Sequence, residues 1–118
     1  MAIDEILAGR VRAALTGAAG YTEVSMFGGL GFLLHGNMVV AAGSRGLLVR
    51  CGAIGMDAAL ARGAVPMIMN GRPMKDFVWA TTALDARAVK AWVKLARTFV
   101  DTLPPKAPRA SRTTKTRR

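Results

Sequence analysis

The chain has 118 residues, 52% of them apolar and 20% charged, so it can bury one core but is too short for two. Basic residues number 17 against 7 acidic ones, a formal net charge of +10 that indicates a polyanionic partner such as nucleic acid. The single cysteine, Cys51, and the single histidine, His35, exclude an internal disulfide, a cysteine-based zinc cluster and a multi-histidine metal site. We therefore expect no metal and no other cofactor, in a cytoplasmic protein.

A helix is predicted over residues 4–18, because apolar residues recur there at spacings of three and four and Gly20 follows. Its apolar face comprises Ile3, Ile6, Leu7, Val11, Ala14, Leu15 and Ala18. Asp4 and Glu5 stand where a signal peptide needs basic residues. The uncharged stretch 24–44 is long enough to span a bilayer, but its five glycines indicate strands and turns, so no membrane contact is expected.

Three short apolar runs follow, at residues 30–34, 38–42 and 47–51, separated by loops that contain glycine. Loops this short permit only antiparallel neighbours, so the pattern predicts a β-meander. We expect Leu34 to face Met38 and Ala42 to face Leu47. This register assigns to the core face Leu30, Phe32, Leu34, Met38, Val40, Ala42, Leu47, Val49 and Cys51.

The second face of this sheet is also largely apolar, and it comprises Gly31, Leu33, Val39, Ala41, Leu48 and Arg50. A monomer that exposed such a face would carry an unusual apolar patch. The sequence therefore predicts a protein partner or a homodimer there, with an interface formed by Leu33, Val39, Ala41 and Leu48.

The second half of the chain predicts a short helix over 57–62, strands at 65–69 and 77–80, and a last helix over 85–103. Asp85 is the expected N-cap of the last helix, and Pro104-Pro105 ends it. The order of elements is α-β3-α-β2-α. It indicates a two-layer α+β fold, with an antiparallel sheet of about five strands and helices on one face.

The basic residues are unevenly distributed along the chain. From Pro104 to Arg118 there are six basic residues and no acidic one, which leaves 11 basic against 7 acidic residues, or +4, for residues 1–103. We expect residues 106–118 to be disordered, because they have no apolar periodicity.

A second basic feature lies on the last predicted helix, where four basic residues step by three and four and so share one face. Such a stripe followed by a basic arm can follow a phosphate backbone, although a solvated helix face and a solubilising terminus explain the same pattern. The candidate nucleic-acid-binding residues are Arg87, Lys90, Lys94, Arg97, Lys106, Arg109, Arg112, Lys115, Arg117 and Arg118.

Two motifs show a resemblance to a known family. The run Ser25-Met26-Phe27-Gly28-Gly29-Leu30-Gly31-Phe32 and the later Asn70-Gly71-Arg72-Pro73-Met74 resemble the TfoX/Sxy N-terminal domain over about residues 5–106. The motif residues are Met26, Phe27, Gly28, Gly29, Gly71, Arg72, Pro73 and Met74. The organisation expected from this resemblance is a TfoX N-terminal-like domain over 1–105 and a basic tail over 106–118.

The resemblance implies a two-layer α+β domain of the secretion-chaperone-like type in a bacterial, cytoplasmic, non-enzymatic protein. The best-known members of the family are competence regulators that cooperate with a cyclic-AMP receptor protein at promoters. Those relatives carry a second, helical domain where this chain has its basic tail. The family implies no catalytic residue at any position of this sequence.

Each motif also has a structural interpretation. The glycines of Met26–Gly31 precede a strand, which favours a tight turn or bulge over a phosphate-binding loop that needs a helix N-terminus. Gly71-Arg72-Pro73-Met74 is expected to form a stiff β-connection whose Arg72 pairs with a carboxylate; the alternative is an anion site. Cys51 is expected on the core face, away from His35, so no thiol–imidazole pair is predicted.

We therefore expect a small non-enzymatic regulatory module whose basic tail gives non-specific affinity for nucleic acid. The alternative is a protein-interaction or homodimerisation module with no role in nucleic-acid binding. A small-molecule-binding or enzymatic domain is a third hypothesis, and a polar pocket that joins Arg50, Arg72 and an acid would support it.

Overall fold

A computed structural model describes residues 5–26, 29–43, 45–81 and 84–104, with only the backbone described for Met26 and Met69. Its helices are α1 Glu5–Ala14, α2 Gly52–Ala61 and α3 Ala86–Val100. Its strands are β1 Tyr21–Met26, β2 Gly29–Leu34, β3 Asn37–Gly43, β4 Gly46–Arg50, β5 Val65–Met69 and β6 Arg72–Ala80. The predicted basic tail, 106–118, lies outside the described residues.

The strands form one antiparallel sheet in the order β1-β2-β3-β4-β6-β5. The helices form a layer against it: α3 contacts both α1 and α2, and it packs on β3 and β4, while α2 packs on β6. The predicted two-layer α+β class is therefore confirmed, with six strands in place of the expected five.

The additional strand is β1, which the apolar pattern did not predict. It contains Thr22, Glu23 and Ser25 among its six residues, all three of them exposed. β1 lies at an edge of the sheet and pairs with β2 along its whole length. An edge strand that is exposed needs few apolar residues, so alternation of hydrophobicity does not reveal it.

The β2–β3 hairpin departs from the predicted register. His35 and Gly36 both have positive φ, 52° and 81°, and form a two-residue turn that pairs Leu34 with Asn37. The prediction placed a third residue in that turn. The extra residue is absorbed further along by a β-bulge, because Leu33 pairs with Met38 whereas Phe32 pairs with Val40.

The bulge exchanges two side chains between the faces of the sheet. Val39, the extra residue, is fully buried in the core, and Met38, which pairs with Leu33, is half-buried. The assignments of Val39 to the second face and of Met38 to the core face were therefore wrong. Beyond the bulge the expected register returns, with Ala42 opposite Leu47 as predicted.

Two elements are longer than predicted. α2 begins at Gly52 rather than at residue 57, and β6 begins at Arg72 rather than at residue 77. Asn70 and Gly71, with φ of 54° and 76°, form the two-residue turn before β6. Pro73 is tolerated because β4 pairs only with the second half of β6, from Phe77 onward, so no neighbouring strand on that side needs its missing N–H.

The core lies between the sheet and the helical layer. Four fully buried side chains form one row across the sheet by direct pairing, namely Phe32, Val40, Val49 and Val78. The buried polar residue Asn37 donates from Nδ2 to the carbonyl oxygen of Pro104, at 3.0 Å, and so fixes the chain beyond α3 to the sheet. No helix in the described ranges combines the length and the apolar character needed to cross a bilayer.

Candidate nucleic-acid interface

Helix α3 is fixed to the protein near its start and along one side. Asp85 is its N-cap, as predicted, and its side chain accepts a hydrogen bond from the N–H of Ala88 at 2.8 Å. Arg10 of α1 donates to the carbonyl oxygen of Leu84 at 2.6 Å, just before the helix. The side of α3 that faces the sheet carries the buried residues Val89, Trp92, Val93, Ala96 and Val100.

The opposite side of α3 carries the predicted basic stripe. Arg87, Lys90 and Lys94 are exposed, and Arg97 is half-buried with its Nε 3.4 Å from Oδ2 of Asp101. Four cations and one carboxylate leave this side of the helix with a local charge of +3. Sequence spacing found the cations but not the acid, although Asp101 follows Arg97 by four residues, the spacing that places two side chains together on a helix.

The stripe borders a depression between α1 and α3. Its volume is about 430 Å³, and its lining consists of Ala14, Lys90, Val93, Lys94, Arg97, Thr98 and Asp101. Both lysines that line it, Lys90 and Lys94, are exposed, so their ammonium groups are available to a ligand from solvent. Such groups suit phosphate oxygens, which accept hydrogen bonds and carry the opposite charge.

The tail residues predicted to bind nucleic acid lie outside the described part of the chain. They are Lys106, Arg109, Arg112, Lys115, Arg117 and Arg118. The last described residue before the tail is Pro104, whose carbonyl oxygen accepts a hydrogen bond from Asn37 at the start of β3.

The first family motif lies at the β1–β2 connection. Met26 ends β1 and pairs with Gly29, while Phe27 and Gly28 fall outside the described residues. A Cβ on Gly29 would meet the carbonyl oxygen of Ala42 at 2.4 Å, so glycine is needed there for close approach of two backbones. Gly29 begins a strand and not a helix, so the helix N-terminus that a phosphate-binding loop needs does not follow it.

The second motif forms the β5–β6 hairpin. Gly71 lies in the turn, and Arg72, Pro73 and Met74 begin β6. Arg72 is exposed and forms no ion pair with any residue of the described ranges, so the expected carboxylate partner is not found there. A shallow depression of about 690 Å³ beside the hairpin is lined by Asn70, Arg72, Pro73, Met74, Lys75, Asp76 and Phe77.

Arg50 lies outside that depression, in a contact that the sequence did not predict. Its guanidinium carbon is 5.8 Å from the centre of the Phe77 ring and 5.6 Å from that of Phe99 on α3. Cation–π attraction of this kind holds the end of β4 to the helical layer. The depression therefore contains Arg72 and Asp76 but not Arg50, so it is not the pocket that the enzymatic hypothesis requires.

Cys51 is fully buried, as expected, and desolvation raises the pKa of its thiol. His35 is exposed in the β2–β3 turn, where Gly20 packs against its ring. The described residues contain no group of three histidine, cysteine or acidic side chains placed to hold a metal ion.

The second face of the sheet carries an apolar row that crosses all six strands. Direct pairing aligns its members in the order Val24, Gly31, Ala41, Leu48, Trp79 and Val65. Ala41 and Leu48 at its centre are 8% and 4% exposed, whereas Val24 and Val65 at its ends are 41% and 47% exposed. We call this surface the open face, since the helices of the described ranges pack on the other side.

The comparisons with known proteins identify one family. The sequence profile described as the TfoX N-terminal domain matches residues 13–100, which include α3, both motifs and the open face. No curated protein and no solved structure matched the chain.

Proposed function

Since this chain belongs to the TfoX N-terminal domain family, we propose that it is a small, non-enzymatic regulatory module that binds nucleic acid without strong sequence preference. The single observation that supports this function is the row of exposed cations on α3. A cytoplasmic setting is part of the proposal.

The nucleic-acid contact begins at α3. Arg87, Lys90 and Lys94 project from the side of the helix that faces away from the sheet. At the rise of an α-helix, the line from Arg87 to Lys94 is about 10 Å long. The spacing of phosphates along one DNA strand is about 3.4 Å per step in projection on the helix axis, so several phosphates lie within reach of these long side chains.

The tail extends this surface. It starts near Pro104, whose carbonyl Asn37 holds, and its 14 residues after that carry six cations. A fully extended segment of that length reaches about 50 Å at most, which is longer than one turn of duplex DNA at about 34 Å. Contacts of this kind give affinity that falls with salt.

Sequence preference is expected to be weak. The exposed side of α3 presents arginine, lysine, alanine and Thr98, and it presents neither asparagine nor glutamine, the side chains that read adenine edges. Contacts to phosphate position a protein on nucleic acid without reporting its sequence. A promoter-specific role in this family would accordingly require a second, sequence-reading protein.

The experiment measures binding to unrelated duplexes as a function of salt. Replacing Lys90 and Lys94 together by alanine lowers affinity and reduces the slope of log K against log salt, by about 0.9 for each phosphate that the protein no longer neutralises. Replacing the tail residues Arg109, Arg112 and Lys115 by alanine has the same kind of effect. Arg45→Ala, which removes an exposed cation from the β3–β4 turn, is the matched control. Equal binding by all of these proteins refutes the proposal.

A second candidate function is supported by the open face. Its apolar row favours a protein-interaction module in which a protein partner or a second copy covers Leu33, Ala41 and Leu48. Val39 was also predicted to belong to this interface, but it cannot contribute because its side chain lies in the core. Leu33→Lys abolishes such an association, and a protein that stays monomeric at high micromolar concentration argues against the homodimeric form of it.

A further inference from the structure

The two edges of the sheet are built differently. β5 contains Pro66, and its register with β6 shifts between Pro66 and Ile68. Proline and irregular pairing are devices that stop an edge from adding another strand. β1 contains neither proline nor lysine, and it pairs with β2 in one unbroken register from Tyr21 to Met26.

The backbone of β1 offers hydrogen-bonding groups on its outer side. The N–H of His35 donates to the carbonyl oxygen of Gly20 at 3.0 Å, which fixes the alternation of bonds between β1 and β2. Residues 22 and 24 therefore direct their N–H and C=O groups to β2, whereas residues 21, 23 and 25 direct theirs outward. No backbone group of another described residue bonds to these outward groups.

The side chains of β1 favour a partner that is also a strand of low charge. Glu23, its single charged residue, is held by Arg12 of α1, with Nε 2.9 Å from Oε2. Val24 is 41% exposed and ends the apolar row of the open face. A strand that sets another apolar side chain beside Val24 would continue this row and shield it from water.

From these observations we infer that a second copy of this chain binds along β1, antiparallel, so that one sheet continues through both copies. In the favoured register Val24 lies opposite Val24 of the second copy, and Glu23 lies opposite its Ser25. The outward N–H and C=O groups of Glu23 and Ser25 then bond across the interface. Of the two neighbouring symmetric registers, the one centred on Glu23 is disfavoured because it would place the two Glu23 side chains directly opposite each other. The one centred on Ser25 is disfavoured because it would move the two Val24 side chains apart.

This pairing has a consequence for the rest of the molecule. Antiparallel edge pairing of identical strands places the two-fold axis perpendicular to the sheet, so the helical layers of both copies lie on the same side. The two α3 surfaces therefore face the same way, with the charge of each reinforcing the other. The open faces of both copies lie on the other side and take no part in this pairing, so this dimer differs from one formed through Leu33 and Leu48.

Sedimentation of the full chain over a range of concentrations tests the association. We expect a concentration-dependent dimer that Val24→Lys abolishes, because two ammonium groups would meet at the axis. Val65→Lys is the matched control, since Val65 ends the same row at the opposite edge with a similar exposure of 47%. It leaves the dimer intact.

A second pair of variants tests the backbone contact. Ser25→Pro removes an outward N–H that β2 does not use, so it keeps the fold and abolishes the dimer. Ser25→Ala keeps the N–H and keeps the dimer. Far-ultraviolet circular dichroism unchanged in both variants shows that the fold survives.

Mild oxidation tests the register. Paired Cα atoms at such a position are about 4.5 Å apart, within the range of a disulfide, so Val24→Cys yields a covalent dimer. Thr22→Cys, on the same face, does not, because the two copies of residue 22 lie about 13 Å apart along the strands. The native Cys51 is fully buried and does not compete.

Three outcomes overturn the inference. One is a protein that stays monomeric at all concentrations. Another is a dimer that Val65→Lys disrupts as strongly as Val24→Lys, which indicates association through the open face. The third is crosslinking through Thr22→Cys in place of Val24→Cys. None of these measurements involves nucleic acid, so the inference and the proposed function can fail separately.

Discussion

The two faces of the sheet are made from the same strands and are both apolar at their centres, yet the helices pack on only one of them. On the helix-covered face the row through Phe32, Val40 and Val49 is fully buried beneath the helices. On the open face Ala41 and Leu48 are only 8% and 4% exposed, although the helices of the described ranges pack on the other side. Low exposure of a residue in a central strand therefore does not identify the face that carries a second layer.

The largest effect is expected from a charge placed at the bulge. Val39→Lys buries an ammonium group in the core and lowers the free energy of unfolding by more than about 4 kcal/mol, or prevents folding. Met38→Lys, one residue away on the open face, changes it by about 1 kcal/mol or less. Urea denaturation measures both. A larger loss for Met38→Lys than for Val39→Lys would indicate that Met38 faces the core and that the hairpin has no bulge.

Truncation of neighbouring residues compares the faces directly. Phe32→Ala is expected to lower the free energy of unfolding by about 3–5 kcal/mol, because the cavity lies beneath the helices and cannot collapse. Leu33→Ala, on the open face, costs roughly 1 kcal/mol, since solvent already reaches its side chain. Similar losses for the two variants would show that the open face is covered in solution.

Glycine substitution tests how closely the helical layer is seated. A Cβ at Gly52 would lie 2.4 Å from Cδ1 of Phe99, and φ there is +70°. Gly52→Ala is therefore expected to destabilise by about 2–4 kcal/mol, from overpacking together with backbone strain. Gly63 also has positive φ, +93°, but open space around it. Gly63→Ala therefore measures the backbone cost alone, about 1–2 kcal/mol. If both variants lose the same free energy of unfolding, the contact with Phe99 does not limit the residue at position 52.

The smallest effect concerns the contact of α1 with the open edge. Arg12 and the hydroxyl group of Tyr21 both donate to Glu23, and these bonds lower the pKa of its carboxyl group. Because the folded pKa lies below the unfolded value of 4.5, the stabilisation is present above about pH 4.5 and is lost as the pH falls. The pair is largely exposed to solvent, which screens it, so we expect the smallest change in stability of the four comparisons.

Thermal unfolding at pH 7 and pH 3 of the parent and of Glu23→Gln measures this contribution. The parent should lose more stability on acidification than Glu23→Gln does. The difference between the two losses is the contribution of the Glu23 carboxylate. Identical pH dependence in both proteins contradicts the assignment. Burial, followed by the hydrogen bond to Glu23, raises the pKa of Tyr21 to about 12. Because this folded pKa lies above the unfolded value of 10.0, the stability linked to protonated Tyr21 is present below about pH 10 and is lost as the pH rises towards 12.

Much of the fold was predictable from local patterns. The Asp85 N-cap, the spacing of the basic residues on α3 and the pairing of Ala42 with Leu47 follow from residue type and periodicity, and all three are found. The TfoX N-terminal domain family was recognised from the two motifs, and the match over residues 13–100 confirms it. The extent of the basic tail and the role of the α3 stripe stay predictions.

The missed features have a shared physical origin. β1 was missed because its apolar residues, Tyr21, Val24 and Met26, do not alternate regularly with its polar ones, so the strand carries no period-two signal. The bulge at Val39 depends on whether the His35-Gly36 turn takes two residues or three, and both turns are compatible with the same local sequence. Arg50 meets Phe99 only because α3 returns across the end of β4.

Residue types and their local spacing were enough to predict the class of fold, the apolar strands, the last helix with its cap, and the segregation of positive charge towards the C-terminal end. These depend on residue type and on spacing within one element. Contacts between distant elements set which face of the sheet the described helices cover, which of Met38 and Val39 enters the core, and which strands form the edges. Those outcomes depend on how separate elements compete for the same surfaces, and that competition involves residues far apart in the chain.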